Sequence, residues 1–313
     1  MLPKKVQELL KKQHYVIVGN HSAIQICKWT KESIRDRDVC YKQQFYGIES
    51  HRCCQMSPAV VWCHHRCIFC WRAIEYTLGN KIEGKIDEPS EIIDKCIEAQ
   101  RKQLIGFQGN KKVNWKKLQE AFRPKHFAIS LAGEPTIYPK ISELISELKK
   151  RKITSFLVTN GMLPEVLAKI EPPTQLYVSV DAPNEKIYKM VDRPVSGCWE
   201  NLIKTLKLLP KLKEKTRTAL RLTLIKNINM CQAKEYANLI KMAKPKFVEV
   251  KAYMAIGFSR KRLGLSFMPT HSEIKNFAKE ISKYCNYKII DEKENSRVVL
   301  MMRKDTKDRF IKL

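Results

Sequence analysis

From about residue 57 the chain alternates short apolar runs with longer amphipathic stretches. The runs "AVVW" (59–62), "HFAISL" (126–131), "SFLVTN" (155–160), "LYVSV" (176–180), "LRLTLI" (220–225) and "FVEVKAYM" (247–254) read as buried parallel strands. Between them, residues 89–104, 140–151, 163–170, 198–212 and 232–243 space their apolar positions as helices do. "EPSEIIDKCIEAQ" places Pro and Ser ahead of first-turn acids, a helix start. A last helix opens at "PTHSEI" (269–274), and "YKIIDEKENSRVVLMM" after it predicts one or two closing strands. Six βα units in series predict an α/β fold, a barrel or partial barrel rather than an open doubly wound sheet. On this reading residues 57–313 form the core and residues 1–56 an N-terminal extension.

Two segments stand outside the alternation. The extension opens with "MLPKKVQELLKKQ", a charged amphipathic helix without the apolar stretch of a secretory signal, so the expected setting is the cytoplasm. Residues 101–125, "RKQLIGFQGNKKVNWKKLQEAFRPK", carry eight basic residues against one acid, with Phe107, Trp115 and Phe122 interleaved. Bases stack on aromatic rings while Lys and Arg meet phosphate, which makes this insertion a candidate RNA-facing element; the alternative is a solvated helix with packing aromatics.

Charge strengthens the nucleic-acid reading. The 313 residues hold 59 basic against 32 acidic side chains, a formal charge of +27. Such an excess is the footprint of a polyanionic partner. No run approaches the roughly 18 consecutive apolar residues of a membrane helix, so no membrane partner is expected.

The cysteines carry the chemistry. Of eleven, seven fall within 44 residues: Cys27, Cys40, Cys53, Cys54, Cys63, Cys67 and Cys70. The odd total in a long chain argues for metal or redox use rather than disulfides. In "VVWCHHRCIFCWR" (60–72) a zinc reading needs a fourth ligand, and His64 and His65 adjoin Cys63 too closely to wrap one ion without strain. Three thiolates on one compact loop suit three corners of a [4Fe–4S] cluster and leave the fourth iron open. The histidines then read as packing or hydrogen-bonding groups.

This C-x3-C-x2-C loop behind a first strand, with Phe69 before its last cysteine, resembles the radical S-adenosylmethionine (SAM) superfamily. That resemblance implies a (β/α)6 partial TIM barrel, with a C-terminal strand and helix addition here, and an open iron that binds SAM. "SLAGEPTIYP" (130–139) supplies the matching turn after the second strand, with Ala132, Gly133 and Glu134 expected at SAM and Ala132 departing from the usual glycine. Strand ends add Thr159, Asn160 and Gly161, then Ser179 and Asp181, of which Asn160 and Ser179 are expected SAM contacts.

Thirteen positions separate Cys27 from Cys40, and thirteen more separate Cys40 from Cys53. With "WCHHRCIFCWR", "AGEP" and "GFSRKRL" (257–263), this spacing is similar to the archaeal tRNA wybutosine-synthesising radical SAM enzymes, the 4-demethylwyosine synthases. The resemblance implies that N1-methylguanosine beside the anticodon of tRNA-Phe condenses with pyruvate after a 5′-deoxyadenosyl radical removes hydrogen from the N1-methyl group. It implies two [4Fe–4S] clusters, one on Cys63, Cys67 and Cys70 and one on Cys27, Cys40 and Cys53. Cys54 is the rival to Cys53, and even spacing favours Cys53. Lys42 matches a lysine that forms a Schiff base with pyruvate, although pyruvate chelating iron is the alternative. Arg260, Lys261 and Arg262 are expected to grip tRNA phosphates. An external electron donor and a monomer complete the picture. Competing readings are another two-cluster radical SAM enzyme acting on RNA, or a non-catalytic zinc-bearing RNA-binding protein.

Overall fold

The computed structural model describes residues 2–195 and 198–312. Ten strands form one sheet: β1 (Val16–Val18), β2 (Ser22–Ile24), β3 (Cys53–Ser57), β4 (His126–Ile129), β5 (Thr154–Thr159), β6 (Gln175–Ser179), β7 (Arg217–Leu224), β8 (Phe247–Ala252), β9 (Lys288–Lys293) and β10 (Val298–Met302). They lie in the order β1-β2-β3-β4-β5-β6-β7-β8-β10-β9. Strands β3 to β8 are parallel, and antiparallel pairs extend both edges.

The helices before β4 are α1 (Lys4–Lys12), α2 (Lys28–Ile34), α3 (Tyr41–Tyr46), α4 (Pro89–Ile105) and α5 (Trp115–Ala121). Those after it are α6 (Ile141–Lys150), α7 (Pro164–Leu167), α8 (Glu185–Val191), α9 (Trp199–Leu212), α10 (Ala233–Ala243), α11 (Ser259–Arg262) and α12 (His271–Ser282). Helix α12 begins in a capping box, with Thr270 and Glu273 exchanging side-chain and backbone hydrogen bonds. The expected βα series is present, and α8 is a helix that the apolar pattern did not reveal.

The first parallel strand differs from expectation. It is Cys53–Ser57, and residues 59–62 form a turn beyond it. Val60 and Trp62 are apolar because they are buried in the main core; outside the sheet, Trp62 makes only an isolated bridge to Gly79. Residue 56 therefore lies inside β3, and β1 and β2 of the extension join the same sheet through β2–β3 pairing. Strand alternation also separates the two adjacent cysteines. Cys54 is fully buried in the main core, while Cys53 stays partly accessible on the other face.

The inner face of the parallel strands is filled from below by the extension. Tyr41, Phe45 and Tyr46 of α3 pack against Phe156, Tyr177 and Phe247 of the strands and Val298 and Leu300 of β10. Phe45 and Tyr46 have no exposed surface, and each contributes about 2 kcal/mol by burial. Val158 and Ser179, two positions further along β5 and at the end of β6, keep this face and line a cavity above it.

The basic insertion buttresses the extension. Phe107 and Phe122 pack with Leu118 of α5 against Ile26 and Ile34, and only Trp115 of the three aromatics is exposed. The Asn114 N–H donates to the Ile34 carbonyl at 2.8 Å, its side chain donates to Asp36 at 2.7 Å, and Lys117 pairs with Asp36.

Candidate active site

Cys63, Cys67 and Cys70 follow the turn after β3 and line a cavity of 380 Å3 with Gly133, Asn160, Ser179 and Asp181. The backbone at Gly133 is left-handed, φ +64°, and a Cβ there would sit 1.9 Å from the Ala59 carbonyl oxygen. Only glycine lets the "AGEP" turn close onto the cysteine loop. The Ala132 carbonyl accepts the Ser57 hydroxyl at 2.5 Å, and Ala132 does not have the positive φ that would require glycine at the departing position. Glu134 is buried and braces the site. Its carboxylate accepts from Thr136 N (3.1 Å), Thr136 Oγ1 (2.6 Å), Thr159 Oγ1 (2.7 Å) and Asn160 N (2.7 Å). Three of these bonds fall on Oε1 and one on Oε2, and Glu134 lines the cavity together with Ala132, Gly133 and Asn160.

Around the thiols, His65 N donates to Cys63 Sγ at 3.4 Å, Asn160 Nδ2 lies 3.8 Å from it, and Cys67 Sγ donates to Asp192 at 3.3 Å. Burial pushes the Cys63 thiol up to about 12. Thiols this deep ionise when a metal takes the place of the proton. Among the described residues neither cysteine triad brings its three sulfurs within 4.8 Å of one another. Tetrahedral zinc, with Zn–S near 2.3 Å, needs sulfurs closer than about 4 Å. Three thiolates on one loop can instead each hold a separate iron of a cluster. His65, Cys67 and Asp192 do bring ligand atoms within 4.8 Å, but that group excludes Cys63 and Cys70. His65 instead meets the Tyr188 hydroxyl at 2.8 Å, and burial lowers it to about 3, so the ring is neutral.

The second triad is drawn together by the extension. Cys27 and Cys40 precede the first turns of α2 and α3, and Cys53 opens β3. Backbone N–H groups of Trp29 and Thr30 near Cys27, of Lys42 near Cys40 and of Ala128 near Cys53 favour the thiolate forms against burial. Burial raises Cys40 to about 11 and Cys53 to about 12. Lys42 projects between the rings of Phe156 and Tyr177, 5.0 and 4.8 Å from their centroids, and is only 7% exposed. Burial, then the nearby Arg221 charge, lowers its pKa, which favours a neutral amine.

A buried polar network joins this triad to the cavity. Arg221 pairs with Glu249 at 3.0 Å and donates to the Tyr41 hydroxyl at 2.8 Å. Tyr41 and Tyr46 donate to Glu249 at 3.1 and 2.8 Å. Lys251, lowered to about 8 by burial and by Arg221, donates to the Ser296 carbonyl at 2.6 Å. Arg221 and Lys251 line the same cavity as the first triad. Arg221 also touches the α3 segment, through the Tyr41 hydroxyl. Sequence reading passed over Arg221, Glu249 and Lys251. The signal was available, since charges at alternate positions of "LRLTLI" and "VEVKAYM" face one side of strands taken as buried.

The basic turn at 260–262 divides. Arg260 and Lys261 are exposed, whereas Arg262 folds back onto the cysteine loop.

A C-x3-C-x2-C loop at the C-terminal end of the first of six parallel strands, closed by a glycine turn from the second, defines a radical SAM enzyme. The model of the radical SAM superfamily matches residues 58–240, and that for wyosine base formation matches residues 242–303. The chain is 48% identical to the SAM-dependent tRNA 4-demethylwyosine synthase of Pyrococcus horikoshii, over 99% of this chain and 94% of that one. It is 41% identical to the synthase of the same name from Methanocaldococcus jannaschii, over 98% of each. A solved structure of TYW1 with a lysine–pyruvate adduct bound superposes with a TM-score of 0.88 at 39% identity, covering 99% of this chain and 98% of the other. The chain belongs to the SAM-dependent tRNA 4-demethylwyosine synthase family.

Proposed function

We propose that this enzyme condenses N1-methylguanosine beside the anticodon of tRNA-Phe with pyruvate to form 4-demethylwyosine. The observation that carries this reading is that one cavity is lined both by the first cysteine triad and by Arg221, which donates to Tyr41 of the α3 segment that bears Lys42. Cys63, Cys67 and Cys70 would hold one [4Fe–4S] cluster, with SAM against Ala132, Gly133, Glu134, Asn160 and Ser179. Cys27, Cys40 and Cys53 would hold a second. When bound, a reduced cluster and SAM supply one-electron cleavage and hydrogen abstraction.

The chain's own residues supply the rest. Glu134 fixes the end of β5, and the aromatic walls around Lys42 keep water from its amine. The neutral amine adds to the pyruvate carbonyl and, on losing one water, gives an imine that holds the substrate in place. A relative of this family binds a lysine–pyruvate adduct, which supports Lys42 in this role over chelation alone. An external one-electron donor serves the reaction, and the enzyme acts as a monomer in the cytoplasm. All eleven cysteines are free thiols, and no described helix is long and apolar enough to cross a membrane.

The test is anaerobic reconstitution followed by incubation with methylguanosine-containing tRNA, pyruvate and SAM. The tricyclic base should form only when pyruvate is present. Equal product without pyruvate overturns the reading. Tight zinc with no iron uptake would replace it with a zinc-bearing RNA-binding protein.

A further inference from the structure

The guanidinium of Arg262 spends its donors on the stretch around the last cysteine of the first triad. Its Nε donates to the Ile68 carbonyl at 3.2 Å, and its Nη2 donates to the carbonyls of Cys70 and of Arg72, the latter at 3.0 Å. Its Nη1 pairs with Glu75 at 2.7 Å. The same segment clamps the carbonyl between these. Phe258 N–H donates to Trp71 O at 3.0 Å. Gly257 approaches the Trp71 carbonyl so closely, at φ +56°, that a Cβ would lie 2.5 Å from the oxygen. Carbonyls 68, 70, 71 and 72 are therefore all held by residues 257–262, which lie in the part of the chain that matches the wyosine family model.

An arginine so committed is not free for phosphate, which answers the expectation placed on it from the sequence. Its charge has another destination. The Arg262 side chain is 15% exposed, so its field at Cys70 is only weakly screened, while the Glu75 carboxylate is 52% exposed and offsets it in part. Nearby charge and hydrogen bonding set the potential of an iron–sulfur group.

We propose that Arg262 is a positioning residue for the first cysteine triad, fixing the backbone either side of Cys70 and, with Glu75 as counter-charge, setting how readily the group held there accepts an electron. This rests on the reading that the triad holds a SAM-binding cluster. Positive charge favours the reduced form, so removing it lowers the potential, and removing Glu75 raises it.

The experiment compares full-length reconstituted protein with its Arg262→Met, Arg262→Lys and Glu75→Gln variants. Iron per chain is measured, and a potentiometric titration follows the part of the reduced-cluster spectrum that changes on adding SAM. Arg262→Met should cut the reduced-to-oxidised ratio at a fixed poise about tenfold, equivalent to about 59 mV for one electron. Arg262→Lys should recover most of that shift but not the original line shape, because an ammonium restores charge without the planar fork. Glu75→Gln should move the ratio the opposite way. If Arg262→Met retains no iron, the direction of the Glu75→Gln shift decides. Unchanged potentials, shifts of one sign in both variants, or a loss confined to tRNA affinity overturn the proposal. No iron uptake by the unsubstituted protein would instead fell the functional reading, and this inference with it.

Discussion

At the scale of single residues, two positions carry the site's geometry in testable form. Gly133 is pressed against the Ala59 carbonyl in a left-handed conformation, so Gly133→Ala must push the "AGEP" turn off the cysteine loop. The expected outcome is retained iron with reductive SAM cleavage down by at least about a hundredfold, since a 1 Å misplacement costs on that order. Comparing 5′-deoxyadenosine release with iron content checks it. Lys42 is the second. Borohydride trapping in the presence of pyruvate should place a pyruvate-derived mass on Lys42, and Lys42→Ala should lose both the adduct and the tricyclic base while still cleaving SAM. Turnover surviving in Lys42→Ala, with only pyruvate affinity altered, would mean that this lysine is not the nucleophile. The cysteine cluster stood out from spacing, and the family resemblance pointed to Lys42. Arg221, Glu249 and Lys251 were not legible, because an apolar run announces burial and masks the charges within it.

At the scale of elements, the extension is a working part of the barrel. Helix α3 buries Phe45 and Tyr46 under the parallel strands and delivers Cys40 and Lys42 with them. Cys40→Ala should therefore remove about half the reconstituted iron and abolish base formation, while SAM cleavage without tRNA persists. Iron analysis beside 5′-deoxyadenosine release decides this, and loss of both activities would mean that the two triads are not independent. The first strand was misplaced by the apolar pattern for a physical reason. Val60 and Trp62 are buried in the main core from outside the sheet, whereas the true strand, "CCQMS", spends its positions on thiols and polar groups. The insertion shows the converse. Its aromatics suggested RNA stacking, but Phe107 and Phe122 pack against Ile26 and Ile34 beside Cys27. Trp115 alone keeps an exposed ring.

At the scale of the whole molecule, a formal charge of +27 predicts tRNA binding driven largely by counterion release. Raising salt from about 50 to about 200 mM should weaken tRNA affinity by at least about tenfold, with a linear log–log slope. Filter binding with methylguanosine-containing tRNA measures it, and a flat response would assign the charge another purpose. A further consequence of the fold is that the two family matches, 58–240 and 242–303, are not mechanically separate. Residues 257–262 hold the cysteine loop by its carbonyls, and β7 of the first match pairs in parallel with β8 of the second.

By itself the sequence determined the βα series, the glycine turn and the family, because periodicity and motif spacing are local and chemically exacting. Only the tertiary structure decided what faces what. It placed Cys53 rather than Cys54 on the accessible side through strand alternation. It turned Arg262 inward, and it brought Arg221, Lys251 and Glu249 to Tyr41, the last from 208 residues away. Such contacts depend on packing between elements, and no short window of the chain contains them.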